Sequence, residues 1–154
     1  MKRNTKRLIL FGCLTLFMMV VIFLFSAQDG NSSGSLSTRL AESAFGRLLL
    51  RILPPLSDQG MRHDLRKYAH MAEFAVMAMP AFGFFRELLG RSSRLPAFAA
   101  GLLFCFLYAC TDEFHQLFVS GRAGQFSDVL IDTVGILFGL TAACALSFLR
   151  KEPQ

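Results

Sequence analysis

The residues of this chain that could do chemistry are acids and bases pressed against long apolar runs. They form three blocks: Arg66-Lys67 with His70 and Glu73, then Asp112-Glu113-Phe114-His115-Gln116, then Arg122 through Asp128 to Asp132. A charge at the centre of a membrane helix costs about 2.5–3.5 kcal/mol on insertion scales, so such residues persist there when they pair or serve a site. Helical spacing turns each block into a face. Arg66, His70 and Glu73 stand at i, i+4 and i+7, and Asp112 with Gln116, like Asp128 with Asp132, at i and i+4. Glu73 then lies about 10 Å inward of Arg66, at 1.5 Å per residue. The Asp112 face continues through Ala109, Cys105 and Gly101. The Asp128 face continues through Gly135 and Gly139, a G-x-x-x-G spacing that lets helices approach closely.

Summed over the blocks, Glu73, Asp112, Glu113, Asp128 and Asp132 outnumber Arg66, Lys67 and Arg122. Carboxylates crowded in a poor dielectric cannot all stay ionised unaided, so a proton, a cation or a cationic ligand group must balance them. One chemistry is acid–base catalysis by Glu73, Asp112, Glu113 or His70. Another is a metal site, in which the H-x-x-E pair of His70 and Glu73 joins Asp112, Glu113 or His115; the spacing permits Mn²⁺, Mg²⁺ or Zn²⁺ without choosing among them. A third is ligand binding. Arg66, Lys67 and Arg122 would hold a phosphate or carboxylate of a lipid head group, while Gln116, Asp128, Ser26 and Gln28 shape the pocket. The plain alternative is a salt-bridge knot that only fixes the helices. The pattern specifies no cofactor.

Four apolar runs must position these blocks, at 8–25, 68–85, 95–111 and 129–149. Each is long enough for a bilayer core of roughly 30 Å. With 53% hydrophobic residues, 17 Phe and no Trp in 154 residues, little chain remains for a soluble domain. Backbone groups in lipid must be satisfied internally, which makes the spans helices. The expected fold is therefore an all-α membrane protein of one domain, 1–154, with four transmembrane helices. Between the first two spans, Leu36, Leu40, Phe45, Leu48 and Ile52 recur at helical period opposite Arg39, Arg47 and Arg51, until Pro54-Pro55. That pattern predicts an amphipathic helix over 36–53 lying in the outer interface, or over the bundle mouth.

The start, Lys2-Arg3 and Lys6-Arg7 before 18 apolar residues, is read as an uncleaved first span held in the cytoplasm. Four spans return the C-terminus to the same side and place all three polar blocks in the outer leaflet. The net charge of +5 does not point to nucleic acid, because the cations sit at the ends of apolar runs instead of forming one stripe. Cys13, Cys105, Cys110 and Cys144 all fall inside predicted spans as packing residues. Pro80 is expected to kink the second span and open a pocket above it. Tyr68 and Tyr108 are expected as interface anchors.

The chain resembles the VanZ-like family of small bacterial membrane proteins. The likeness rests on Phe25-Ser26-Ala27-Gln28, on Arg66-Lys67-Tyr68-Ala69-His70 with Glu73, on Asp112-Glu113-Phe114-His115-Gln116, on Gly121-Arg122, and on Asp128 through Asp132 to Gly135. It covers nearly the whole chain in order. Two positions depart from the pattern: Ser120 replaces an expected proline, and Asp132 an expected asparagine. The resemblance implies a multi-pass protein of the bacterial cytoplasmic membrane. It further implies a part in low-level resistance to teicoplanin, a lipid-tailed glycopeptide acting outside the membrane. The partner expected on this reading is a membrane lipid or lipid-linked envelope molecule, bound or, alternatively, enzymatically modified.

Overall fold

The computed structural model describes residues 4–28, 61–90, 93–122 and 124–149, with isolated positions at 43, 52 and 56. The amphipathic helix expected over 36–53 lies almost wholly outside the described residues. Four long helices carry the described chain: α1 (Thr5–Ser26), α2 (Met61–Leu89), α3 (Arg94–Gln116) and α4 (Phe126–Leu149). Strands are absent among the described residues. Three of the helices, α1, α3 and α4, are long and apolar enough to cross a membrane. The 29-residue α2 falls short, since His70, Glu73, Arg86 and Glu87 interrupt its apolar run.

Local chemistry sets the helix ends. Asn4 caps α1, its side chain accepting from the Arg7 amide at 3.2 Å. Gly90 follows α2 with φ +99°, the left-handed conformation that ends a helix and that glycine adopts without strain. Pro96 falls in the first turn of α3, where its missing N–H breaks no ladder. Pro80 lies inside α2 without ending it. The cavity described below is not above Pro80 but about ten residues away, roughly 15 Å along the helix.

The helices run alternately up and down, so α2 and α4 are parallel. Their contact follows from two glycines. A Cβ on Gly135 would run into the Met71 carbonyl oxygen, and one on Gly139 into the Ala75 carbonyl oxygen. The G-x-x-x-G stripe of α4 therefore rides on one line of the α2 backbone, which fixes the register of the two helices. Between them and α3 sits the apolar core, built on Phe74, Met77, Phe82, Cys105, Ile136 and Leu140. Large apolar side chains face outward in turn: Ile9, Leu16 and Phe17 of α1 are 59, 61 and 62% exposed. That inverted surface suits a helix bathed in hydrocarbon.

The end holding the C-termini of α1 and α3 and the N-termini of α2 and α4 carries the polar blocks. At the opposite end a smaller clasp ties α3 to α4. Arg94 donates from Nε to Ser147 Oγ at 3.1 Å and lies 4.2 Å over the Phe148 ring. Tyr108, expected at the interface, instead braces α3 on α1: its hydroxyl donates to the Met19 carbonyl at 2.6 Å.

Candidate functional site

The α2–α4 register brings Lys67 and Asp128 together, and Lys67 Nζ donates to Asp128 Oδ1 at 2.6 Å. Asp128 also stands in the first turn of α4, where the helix dipole favours an acid. One turn deeper on the same faces lie His70 and Asp132. From α3, Asp112 approaches His70, with Oδ2 4.0 Å from Nδ1, beyond hydrogen-bond length.

Gln116 is the hub of the α3 side. Its Nε2 donates to both Asp112 Oδ2 and Glu113 Oε1 at 3.1 Å, and its Oε1 accepts from Arg122 Nη1 at 3.2 Å. The second Glu113 oxygen accepts from the Gln125 amide at 2.9 Å, which ties the turn before α4 to α3. Gly124 permits that closeness, because a Cβ there would strike the Glu113 carbonyl oxygen. Arg122 does more than meet Gln116. Its Nε and Nη2 donate to the Gln28 and Phe25 carbonyl oxygens, each at 3.0 Å. It thus caps the C-terminus of α1, where carbonyls lack helical partners and the dipole favours a cation. Burial, and next the nearby Arg66, push the Arg122 guanidinium below its ordinary value, with Asp112 and Glu113 acting the other way.

Several buried polar atoms of this network have no hydrogen-bond partner among the described residues. They are Ser26 Oγ, His70 Nδ1, Glu73 Oε2, Asp112 Oδ1 and Asp132 Oδ2. Asp132 stands out: it is 1% exposed, and among the described residues it makes no hydrogen bond or ion pair. A buried acceptor left unpaired costs about 1–3 kcal/mol, more when charged, so each calls for a donor. Beside Asp132 opens a small cavity with room for about one water molecule, lined by Arg66, Lys67 and His70 of α2, by Glu113 and Gln116 of α3, and by Asp128, Ile131 and Asp132 of α4. Arg66, unlike Lys67 and Arg122, makes no hydrogen bond or ion pair among the described residues.

The residues expected to form a site thus divide. Arg66, Lys67, His70, Glu113, Gln116 and Asp128 share the cavity wall. Asp112 sits inward of it as a buried acid and Glu73 as a half-buried one with its Oε2 buried, and Arg122 bridges Gln116 to α1. Ser26 is wholly buried with its hydroxyl unpaired, and Gln28 contributes its backbone carbonyl. Among the described residues, no three of His, Cys, Asp and Glu converge in a metal-holding group. His115, one candidate for such a group, packs its ring 4.6 Å from that of Phe23. Asp132 is the residue that motif reading undervalued. Its i+4 phase with Asp128 already placed it on the inward stripe, which was the available signal.

A family model described as VanZ/LLP1 matches residues 11–148. No curated protein and no solved structure matches the chain.

Proposed function

The chain belongs to the VanZ/LLP1 family, and we propose that it is a four-span membrane protein that binds an amphiphilic envelope molecule in the polar cavity at one end of its bundle. On this reading α2 is the fourth span, and both termini lie in the bacterial cytoplasm. Lys6, Arg7, Arg86 and Arg94 gather at the end opposite the cavity, which supports that orientation through the positive-inside preference. The cavity then opens toward the outer leaflet.

The observation that carries the reading is the cavity wall itself, in which acids surround a small space and neither Arg66 nor Asp132 has a hydrogen-bond or ion-pair partner among the described residues. A polar pocket at membrane depth is retained at a cost, and a bound polar group offsets that cost. Binding or sequestering a lipid or lipid-linked molecule at the outer face would alter susceptibility to teicoplanin, which acts on that face. The expected result is a shift in teicoplanin susceptibility when the chain is expressed in a susceptible host. Ile131→Trp, which plugs the cavity, and Arg66→Ala should both return that host to the empty-vector level at equal amounts of membrane-inserted protein. Unchanged susceptibility with the wild-type chain, or full activity from the plugged one, refutes the reading.

A second reading, an intramembrane acid–base enzyme acting on a lipid-linked substrate, draws on the facing His70 and Asp112, 4.0 Å apart with Nδ1 and Oδ1 both unpaired. It would place Glu73, Asp112, Glu113 and His70 in catalytic roles. It requires a new or missing envelope lipid or glycan when the chain is expressed, lost in Glu73→Gln; binding alone changes susceptibility with no such species.

A further inference from the structure

We infer that the cavity takes the primary ammonium of an amine-tipped phosphate ester, with Asp132 receiving the ammonium and Arg66 the phosphate. This deepens the binding reading above and rests on it. The basis is the order of charges along the helix axes. Arg66 stands one turn outward of His70 on α2, and Asp132 one turn inward of Asp128 on α4. Lys67 and Asp128 neutralise each other between these two levels, at 2.6 Å. What remains facing the space, among the described residues, is a cation at the outer level and an unpaired acid at the inner one.

The atoms without partners fix the polarity of the ligand. Of these, Asp132 Oδ2 belongs to the cavity wall and as a carboxylate oxygen accepts, so the inner group donates hydrogen bonds; Asp112 Oδ1 and Glu73 Oε2 lie inward of it. Three cations meet five acids in the cluster, and a cationic donor reduces that excess where a neutral hydroxyl does not. Size points the same way. The cavity admits a group about as large as one water molecule, which fits an –NH₃⁺ head and excludes a trimethylammonium. At the outer level the fork of Arg66 matches two oxygens of a phosphate monoester or diester. The same chemistry could reach the site as a soluble ester or as a phospholipid head group.

The test uses the full chain purified in detergent, with equilibrium binding of ethanolamine phosphate, choline phosphate and ethyl phosphate. Ethanolamine phosphate should bind saturably at one site, at least tenfold more tightly than the other two. Asp132→Asn, which keeps side-chain shape, should weaken ethanolamine phosphate at least tenfold and leave ethyl phosphate unchanged. Arg66→Gln should weaken both. Thermal unfolding of each variant establishes that it is folded. Choline phosphate binding as tightly as ethanolamine phosphate, or undiminished binding to Asp132→Asn, or no saturable binding to the folded wild type, overturns the assignment. Nanodiscs assign the source: stabilisation by phosphatidylethanolamine over phosphatidylcholine, lost in Asp132→Asn, identifies a lipid head group, and its absence beside tight soluble binding identifies a free ester. If susceptibility still follows the cavity variants while none of these amines binds, the binding reading stands and the ammonium assignment fails.

Discussion

Removing Lys67 tests whether the polar end holds the bundle together or only decorates it. At 2.6 Å, the attraction between Lys67 and Asp128 is gross about 6 kcal/mol at an effective dielectric of 20. Most of it offsets desolvation, since the two side chains are only 9 and 15% exposed. The net value of the pair is therefore small, while the cost of breaking it is not. Lys67→Met leaves Asp128 with the Ser127 hydroxyl at 3.3 Å and the α4 dipole, and the penalty should fall near the lower end of the usual 3–5 kcal/mol, about 3. Replacing both, as Lys67→Met with Asp128→Leu, removes the stranded charge and should lie within about 1 kcal/mol of the wild type. The cycle should then return a coupling of about 2 kcal/mol or more between the two positions.

Unfolding by SDS in mixed micelles, followed by circular dichroism, measures all four corners of that cycle. If Lys67→Met costs under about 0.5 kcal/mol, or if the two changes simply add, the pair behaves as an exposed surface bridge. The α2–α4 interface would then owe nothing to it, and the buried geometry assigned to this end would be wrong.

Two further outcomes follow from the packing. Gly135→Ala should destabilise the bundle by about 1–3 kcal/mol, because its Cβ meets the backbone oxygen of Met71 and α4 must move away. Gly101→Ala should cost less, since its nearest neighbour is a Leu140 methyl at 3.0 Å that can turn aside; equal thermal stabilities of the two would refute the α2–α4 contact. Arg122→Gln removes the donors to the Phe25 and Gln28 carbonyls, so amide exchange should rise in the last turn of α1 and leave α3 and α4 protected. Uniform exchange across all four helices would mean that Arg122 supports the whole cluster and not the α1 terminus.

Much of the arrangement was legible in the residues. The phase of Gly135 and Gly139 with Asp128 gave the inward stripe of α4, and the face from Gly101 to Gln116 is the buried face of α3. Periodicity reports which side chains share a face, and in a membrane helix the charged members of that face are conspicuous. It does not report which helix the face meets. That α4 rides on Met71 and Ala75 of α2 depends on backbone proximity, which no spacing rule supplies. For the same reason Arg122 could be placed beside the acids but not on the carbonyls of α1, since backbone acceptors leave no mark in the sequence. Tyr108 shows the same limit, its hydroxyl claimed by a carbonyl of α1. Pro80 misled because a proline marks a missing donor in one helix, whereas the cavity lies where polar side chains of three helices meet.

The balance of donors and acceptors at the polar end separates structure from function. Lys67, Gln116 and the Gln125 amide together satisfy Asp128, Glu113 and half of Asp112, and Arg122 in turn holds Gln116. A knot serving stability alone would go on to satisfy Asp132, or would carry an apolar residue there, because an apolar replacement of a buried polar group is often neutral or better. Instead a wholly buried acid faces open space across from an arginine with no partner among the described residues. Stability gains nothing from that pairing of vacancies. A molecule that brings both an anion and a donor closes both at once, and its binding recovers on association what folding left unmade.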